Sequence, residues 1–240
     1  MIVIAHRGAS AYAPENTEAA FDLGVAMGAD AIETDLRATR DGVIVLLHDA
    51  RVDRTTDGSG LLNELSWAAV RSLDAGSRKH SRFAGQRIPT LASFLDRYGT
   101  ICPLYLEIKA PGIEEAALAL VRERNLLDRV VFTSFNLEWV AKVASLAPVR
   151  SCWLVNDWTE TESSLAKLAR LYEVSINVRR VDSDLVEKVR SAGLGVRAWG
   201  LKDDDLMRQA VAAGVDGVTI DFPDRLIRLL RPAPHGANVP

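Results

Sequence analysis

The sequence predicts an α/β protein of the (β/α)8, or TIM-barrel, class. Three observations predict it. Short apolar runs recur along the chain, each followed by a segment whose apolar residues repeat at helical spacing. There are eight such units. The rhythm holds through a chain of 240 residues with no composition break to mark a second domain. Strands that alternate with helices build parallel sheets, and eight units are enough to close one on itself. A doubly wound open sheet is the structural alternative, but eight units without a domain break favour closure.

Strands are expected at 2–6, 30–35, 103–108, 129–134, 149–154, 174–178, 195–199 and 216–220. Helices are expected near 15–28, 90–98, 113–124, 136–146, 160–171, 182–192, 203–213 and 223–230. Asn136, Asp182 and the acidic opening Asp203-Asp204-Asp205 are helix start signals, and Gly28 and Gly193 suit left-handed helix ends. The run 43–48 also looks like a strand. Asp41-Gly42 just before it is a tight-turn signal, so 36–48 reads as a hairpin arm that leaves the second strand and returns to it. Residues 49–88 break the rhythm. They carry Asp57-Gly58-Ser59-Gly60, a short helix expected near 66–72 and a basic stretch, and read as an insertion over the C-terminal mouth of the barrel. The tail 231–240, with Pro232, Pro234 and Gly236 near its start, is expected to be disordered.

Composition narrows the function. The net charge of −3 and the lack of any Lys/Arg block argue against a nucleic-acid partner. Only Arg78-Lys79-His80-Ser81-Arg82 is locally basic, and it reads as a solvated loop. Cys102 and Cys152 lack metal-ligand spacing and lie in or beside apolar runs, so buried free thiols are expected. The chain starts on an apolar strand without a signal-peptide pattern, and no apolar run approaches the ~20 residues that span a bilayer. A cytoplasmic protein without a membrane anchor is expected.

Charge at strand ends is the functional clue. His6 and Arg7 close the first strand, Glu33 and Asp35 the second, His48 and Asp49 the hairpin arm, and Glu107 and Lys109 the third barrel strand. Unpaired charge in an interior is costly, so this repetition points to one polar site. Glu33 and Asp35 are two residues apart and face the same side of a strand. With Glu107 they offer hard oxygen ligands and no cysteine, which selects one divalent cation, Mg²⁺ or Ca²⁺. A lone Glu-x-Asp would fit a solvent-facing strand held in ion pairs; three acids on adjacent strand ends do not. His6 and His48 suit general acid and base work, because imidazole titrates near neutrality. Arg7 and Lys109 beside a cation imply an anionic substrate, and phosphate fits best. The sum is equipment for metal-assisted phosphoester cleavage.

An ordered series of motifs makes the resemblance specific: His6-Arg7-Gly8, Pro14-Glu15-Asn16-Thr17, Gly28 to Asp35, Thr39-Arg40-Asp41-Gly42, His48-Asp49, Arg54-Thr55-Thr56, Ile88-Pro89-Thr90-Leu91, Leu106-Glu107-Ile108-Lys109 and Ser134-Phe135. The chain resembles the glycerophosphodiester phosphodiesterase family over nearly its whole length. The resemblance implies a (β/α)8 barrel and hydrolysis of glycerophosphodiesters to sn-glycerol 3-phosphate and an alcohol. It implies one cation held by Glu33, Asp35 and Glu107, with His6 and His48 as acid/base pair and Arg7 and Lys109 at the phosphate. In the implied mechanism the glycerol 2-hydroxyl attacks phosphorus and water then opens the cyclic phosphate. His6 is expected as the first base and His48 as the first acid, the roles swapping in the second step.

Two departures stand out. Arg78-Lys79-His80 occupies a place where the family commonly has aromatic residues, and Gly200-Leu201-Lys202 replaces a more usual Thr-Val-Asn after Trp199. Trp199 and Phe135 could pack substrate carbons or serve the core. A lysophospholipase D, a cyclising lyase or a non-catalytic barrel binding a phosphorylated metabolite are the competing readings. The retained acids and histidines favour an enzyme.

Overall fold

A computed structural model describes residues 1–231. The expected tail disorder concerns residues that lie, apart from Arg231, outside this range. Strands β1 (Ile2–His6), β2 (Ala31–Ala38), β4 (Leu104–Ile108), β5 (Val130–Ser134), β6 (Arg150–Val155), β7 (Glu173–Asn177), β8 (Gly195–Leu201) and β9 (Gly217–Ile220) are parallel neighbours in that order. Pairing of β1 with both β2 and β9 closes the barrel. The remaining strand, β3 (Ile44–Leu46), runs antiparallel to the outer end of β2, with Leu36 opposite Leu46. It is the hairpin arm, and Gly42 at its turn has φ +82.

Helices α1 (Glu18–Ala26), α3 (Leu91–Tyr98), α4 (Glu114–Glu123), α5 (Leu137–Leu146), α6 (Glu160–Leu168), α7 (Ser183–Ser191), α8 (Asp204–Ala213) and α9 (Pro223–Leu230) follow the barrel strands; the short α2 (Trp67–Val70) lies in the insertion. Their starts are the ones the sequence marks. Asn136 accepts from the Glu138 N–H, Asp182 from Leu185 and Asp203 from Leu206, which satisfies amides left over at each first turn. Apolar helix faces cover the sheet; between α1 and α3 the rings of Phe21, Phe94 and Tyr98 are all buried, Phe21 and Phe94 with centroids 4.7 Å apart.

Boundaries shift by up to about three residues along the chain, and at two strands the shift has a structural reason. The strand expected at 174–178 begins at Glu173 and gives way after Asn177 to a 3-10 turn, Val178–Arg180, capped by the Asn177 side chain. The strand expected at 195–199 continues to Leu201 through an irregularity against β9, where Gly200 takes φ +84.

The insertion has its own small apolar core, in which Val52, Leu62, Val70 and Ala75 join Val45 and Leu47 of the hairpin arm. The basic stretch is exposed, as expected of a solvated loop, yet its long side chains are tied down. Lys79 Nζ donates to the carbonyls of Ser10 (2.8 Å) and Ala11 (3.0 Å), Arg82 donates to Tyr12 and Arg78 to Thr56. Long cationic side chains here fasten the insertion to the β1–α1 connection, because that connection presents carbonyls with no strand or helix to use them.

Candidate active site at the barrel mouth

Strand register assembles the site. His6 lies opposite Glu33 across β1 and β2, and Asp35 lies opposite Glu107 across β2 and β4. The two-residue period of a strand then turns Glu33, Asp35 and Glu107 to the barrel interior. All three are buried, and each offers a carboxylate oxygen within 4.8 Å of the others. Asn16 holds this arrangement from below: its amide donates to Asp35 Oδ2 at 2.8 Å and its oxygen accepts from the Thr34 hydroxyl at 2.7 Å. The Arg7 amide donates to Glu33 Oε2 at 3.0 Å.

The chain bends sharply to make that contact. Arg7 (φ +54) and Gly8 (φ +79) are successive left-handed residues. A Cβ on Gly8 would fall 2.4 Å from the Ala20 carbonyl carbon, so only glycine passes here. The strain at Arg7 is the kind retained where a site needs a particular geometry.

The electrostatics are unbalanced. Burial, with Asp35 and Glu107 close by, pushes the Glu33 carboxyl up from 4.5 to about 8. Burial also raises Glu107. At Asp35 burial acts the same way but is outweighed by Arg7 and Lys109, and its carboxyl is lowered. Arg7 Nε sits 3.0 Å from Asp35 Oδ2 and Lys109 Nζ 2.5 Å from Glu107 Oε1 and 3.5 Å from Asp35 Oδ1. The two cations expected at the phosphate therefore lean on the acids in this structure. Glu33 Oε1 is buried with no hydrogen-bond partner among the described residues. An orphaned carboxylate oxygen inside a set of hard donors fits a divalent cation, and the fit rests on this chain's own residues.

Both histidines face the same cavity of about 280 Å³. His6 Nδ1 is 2.5 Å from Asp221 Oδ1, which also accepts from the Ser10 hydroxyl at 3.0 Å. His48, returned to the mouth by the hairpin arm, has Nδ1 2.6 Å from Asp49 Oδ1. A carboxylate on Nδ1 orients each ring and leaves its Nε2 edge free. Burial lowers the His6 pKa, yet the Asp221 hydrogen bond and the Glu33 charge outweigh it, and the net shift is upward. Burial lowers His48 too, and there it prevails over the attraction of Asp35.

An ion-pair chain ties the two halves together. Arg54 grips Asp49 (Nε–Oδ2 2.6 Å) and both oxygens of Glu15, and Glu15 accepts from Arg7 at 2.9 Å. Phe135, Leu154 and Trp199 form the apolar wall of the cavity. Trp199 has its indole N–H satisfied by the Val155 carbonyl at 3.0 Å and packs edge-on to Phe135, which is 45% exposed at the rim. Cys102 and Cys152 are buried and free.

Sequence reasoning missed Asp221, although it follows the expected strand 216–220 and obeys the same strand-end rule as the other charges. It also missed Arg197, a charge inside the expected strand 195–199, and Glu173, just before the expected strand 174–178. They pair below the site, Arg197 Nε to Glu173 Oε1 at 2.7 Å, with Arg197 further bonded to Thr219 and Cys152 and stacked over Tyr105.

Known proteins share this architecture. The glycerophosphoryl diester phosphodiesterase family pattern matches residues 6–225. A glycerophosphodiester phosphodiesterase of Caldanaerobacter subterraneus is 36% identical over 96% of this chain and 98% of its own length. The crystal structure of a glycerophosphodiester phosphodiesterase from Agrobacterium tumefaciens superposes with a TM-score of 0.84 at 32% identity, covering 94% of this chain and 98% of that one. A phosphodiesterase of Oleispira antarctica, solved with the product sn-glycerol-3-phosphate, does so at 0.85 and 30%, covering 96% of each. With the match spanning the barrel from His6 to its last helix, this chain belongs to the glycerophosphoryl diester phosphodiesterase family and is a phosphoric diester hydrolase.

Proposed function

We propose that the enzyme hydrolyses small glycerophosphodiesters to sn-glycerol 3-phosphate and an alcohol, using one Mg²⁺ or Ca²⁺ held by Glu33, Asp35 and Glu107 and a proton exchange between His6 and His48. The observation that carries this reading is a convergence: three buried carboxylates and two carboxylate-anchored imidazoles open on one cavity. A divalent cation bound there would polarise the phosphoryl oxygens and offset charge developing on them.

The chain's own groups supply the rest. The opposite shifts of the histidines favour an acid/base order opposite to the one the family resemblance implies. His48, lowered by burial, is the better first base and takes the proton of the attacking glycerol 2-hydroxyl at Nε2. His6, raised by Asp221 and Glu33, is the better first acid and delivers its proton to the departing alcohol oxygen. The new O–P bond forms as the P–O bond to the alcohol breaks, leaving a five-membered cyclic phosphate. In the second step His6, now neutral, takes a proton from water and His48 returns one to the 2-oxygen. Arg7 and Lys109 present donors suited to phosphoryl oxygens, and the Phe135–Trp199 wall suits glycerol carbons. A cytoplasmic location accords with two free thiols.

Product analysis on a panel of glycerophosphodiesters tests the reading. Glycerol 3-phosphate should accumulate, with any cyclic phosphate transient. Accumulation of the cyclic phosphate alone would identify a lyase, and cleavage confined to lysolipids a lysophospholipase D.

A further inference from the structure

The Glu15–Arg54 ion pair separates the catalytic cavity from a second cleft of about 240 Å³ beneath the insertion, lined by Ser10, Glu15, Arg54, Thr55, Arg78 and Lys79 among others. The lining carries three cations and one carboxylate. That carboxylate, Glu15, is already shared between Arg54 and Arg7.

Arg78 and Lys79 have no carboxylate partner among the described residues. The Arg78 Nε is spent on the Thr56 carbonyl, and Lys79 Nζ on those of Ser10 and Ala11. Asp74, nearby in sequence, gives its oxygens to the N–H groups of Gly76, Ser77 and Gly85 and the Ser77 hydroxyl. Backbone carbonyls thus fix two cations in place without neutralising them, which is how a preorganised anion site is built. The position is also close to the chemistry. Arg54 grips the Asp49 that anchors His48, and Glu15 grips Arg7. On the other side of the catalytic cavity Phe135, Leu154 and Trp199 form an apolar wall, with Lys109 beside Phe135 and Lys202 at the rim. The cleft under the insertion therefore adds a second cationic surface on the side away from the Phe135–Trp199 wall that suits glycerol carbons.

We propose that this cleft is a subsite for leaving alcohols that carry their own phosphate, so that the enzyme prefers diesters with an anionic alcohol over uncharged ones of the same skeleton. The proposal rests on the phosphodiesterase reading above and names the substrate class for it. It also gives a use to the replacement of aromatic residues by Arg78 and Lys79.

The test compares kcat/KM for glycerophosphoinositol and glycerophosphoinositol 4-phosphate, in the wild type and in a variant combining Arg78→Gln and Lys79→Gln. The wild type should favour the phosphorylated diester by about tenfold at low salt, as expected for two charge-assisted contacts, and the preference should shrink as salt is raised. In the variant the ratio should fall towards one. A purely structural role for the two cations would lower both rates together and leave the ratio unchanged, which overturns the subsite. Equal wild-type rates on both diesters also overturn it while the phosphodiesterase reading stands. Cleavage of neither diester, nor of glycerophosphocholine, overturns both. A melting curve of the variant shows whether the insertion remains folded, and a lone Lys79→Gln variant should shift the ratio in the same direction.

Discussion

Buried carboxylates occur at two levels of this barrel, and they are treated differently. Below the site, Glu173 faces Arg197 one to one, and the remaining guanidinium nitrogens find Thr219 and Cys152, with Tyr105 beneath the plane. Charge is matched and donors are spent. At the mouth, Glu33, Asp35 and Glu107 crowd within 4.8 Å, Arg7 and Lys109 only partly compensate them, and Glu33 Oε1 has no hydrogen-bond partner among the described residues. The first pattern is self-sufficient, as a buried ion pair in a fold must be. The second is complete only with an additional positive charge. A surplus of buried charge, and not buried charge as such, marks the place where a ligand belongs.

Substitutions at the two levels should separate the patterns. The largest effect is expected for Glu33→Gln: activity at limiting cation should fall by roughly 10³-fold or more, because a ligand and its charge are lost together. The chelator-treated variant should nevertheless melt no lower than the wild type at pH 8. Arg197→Met should do the reverse in kind. It leaves Glu173 buried and unpaired and should destabilise by about 3–5 kcal/mol in a denaturant titration. If Glu33→Gln unfolds the protein while Arg197→Met is tolerated, the two levels have been assigned the wrong way round.

A smaller effect is expected for Asp221→Asn, about 10²-fold in kcat, since the His6 ring loses its charged anchor. Removing that charge lowers the His6 pKa, so the high-pH limb of the rate profile should move to lower pH. A profile that keeps its shape would make Asp221 a scaffold residue only. The smallest effect is one of pH on the metal-free protein. The Glu33 carboxyl is raised from 4.5 in an open chain to about 8 when folded, so the native state holds a proton that the unfolded state has lost. Stability should then be greatest below pH 4.5 as far as this group is concerned, and decline as pH rises towards about 8. Calorimetric cation binding should release a proton below about pH 8 and tighten as pH approaches it.

Much of this was legible in the sequence. Period-two and helical patterns gave eight units, and Asp41-Gly42 separated the hairpin arm from the barrel strands, so that β3 did not spoil the count. Strand-end charge located His6, Glu33, Asp35, His48 and Glu107 at one mouth because register in a parallel barrel aligns strand ends. Pairing was harder to read. Asp221 meets His6 only because β9 closes against β1, a contact between opposite ends of the chain. Arg197 and Glu173 were hidden for a related reason: their partners lie on neighbouring strands far apart in sequence. The basic insertion residues are solvated as their pattern suggests, but their acceptors are backbone carbonyls, which no side-chain pattern reveals.

The central claim is that a divalent cation at Glu33, Asp35 and Glu107 is required for diester hydrolysis. Glycerol 3-phosphate release from glycerophosphocholine by chelator-treated enzyme tests it most directly, before and after Mg²⁺ or Ca²⁺ is restored, with Glu33→Gln in parallel. Activity should vanish with the chelator, return with the cation in the wild type, and return only at much higher cation concentration in the variant. Undiminished hydrolysis in excess chelator would contradict the claim.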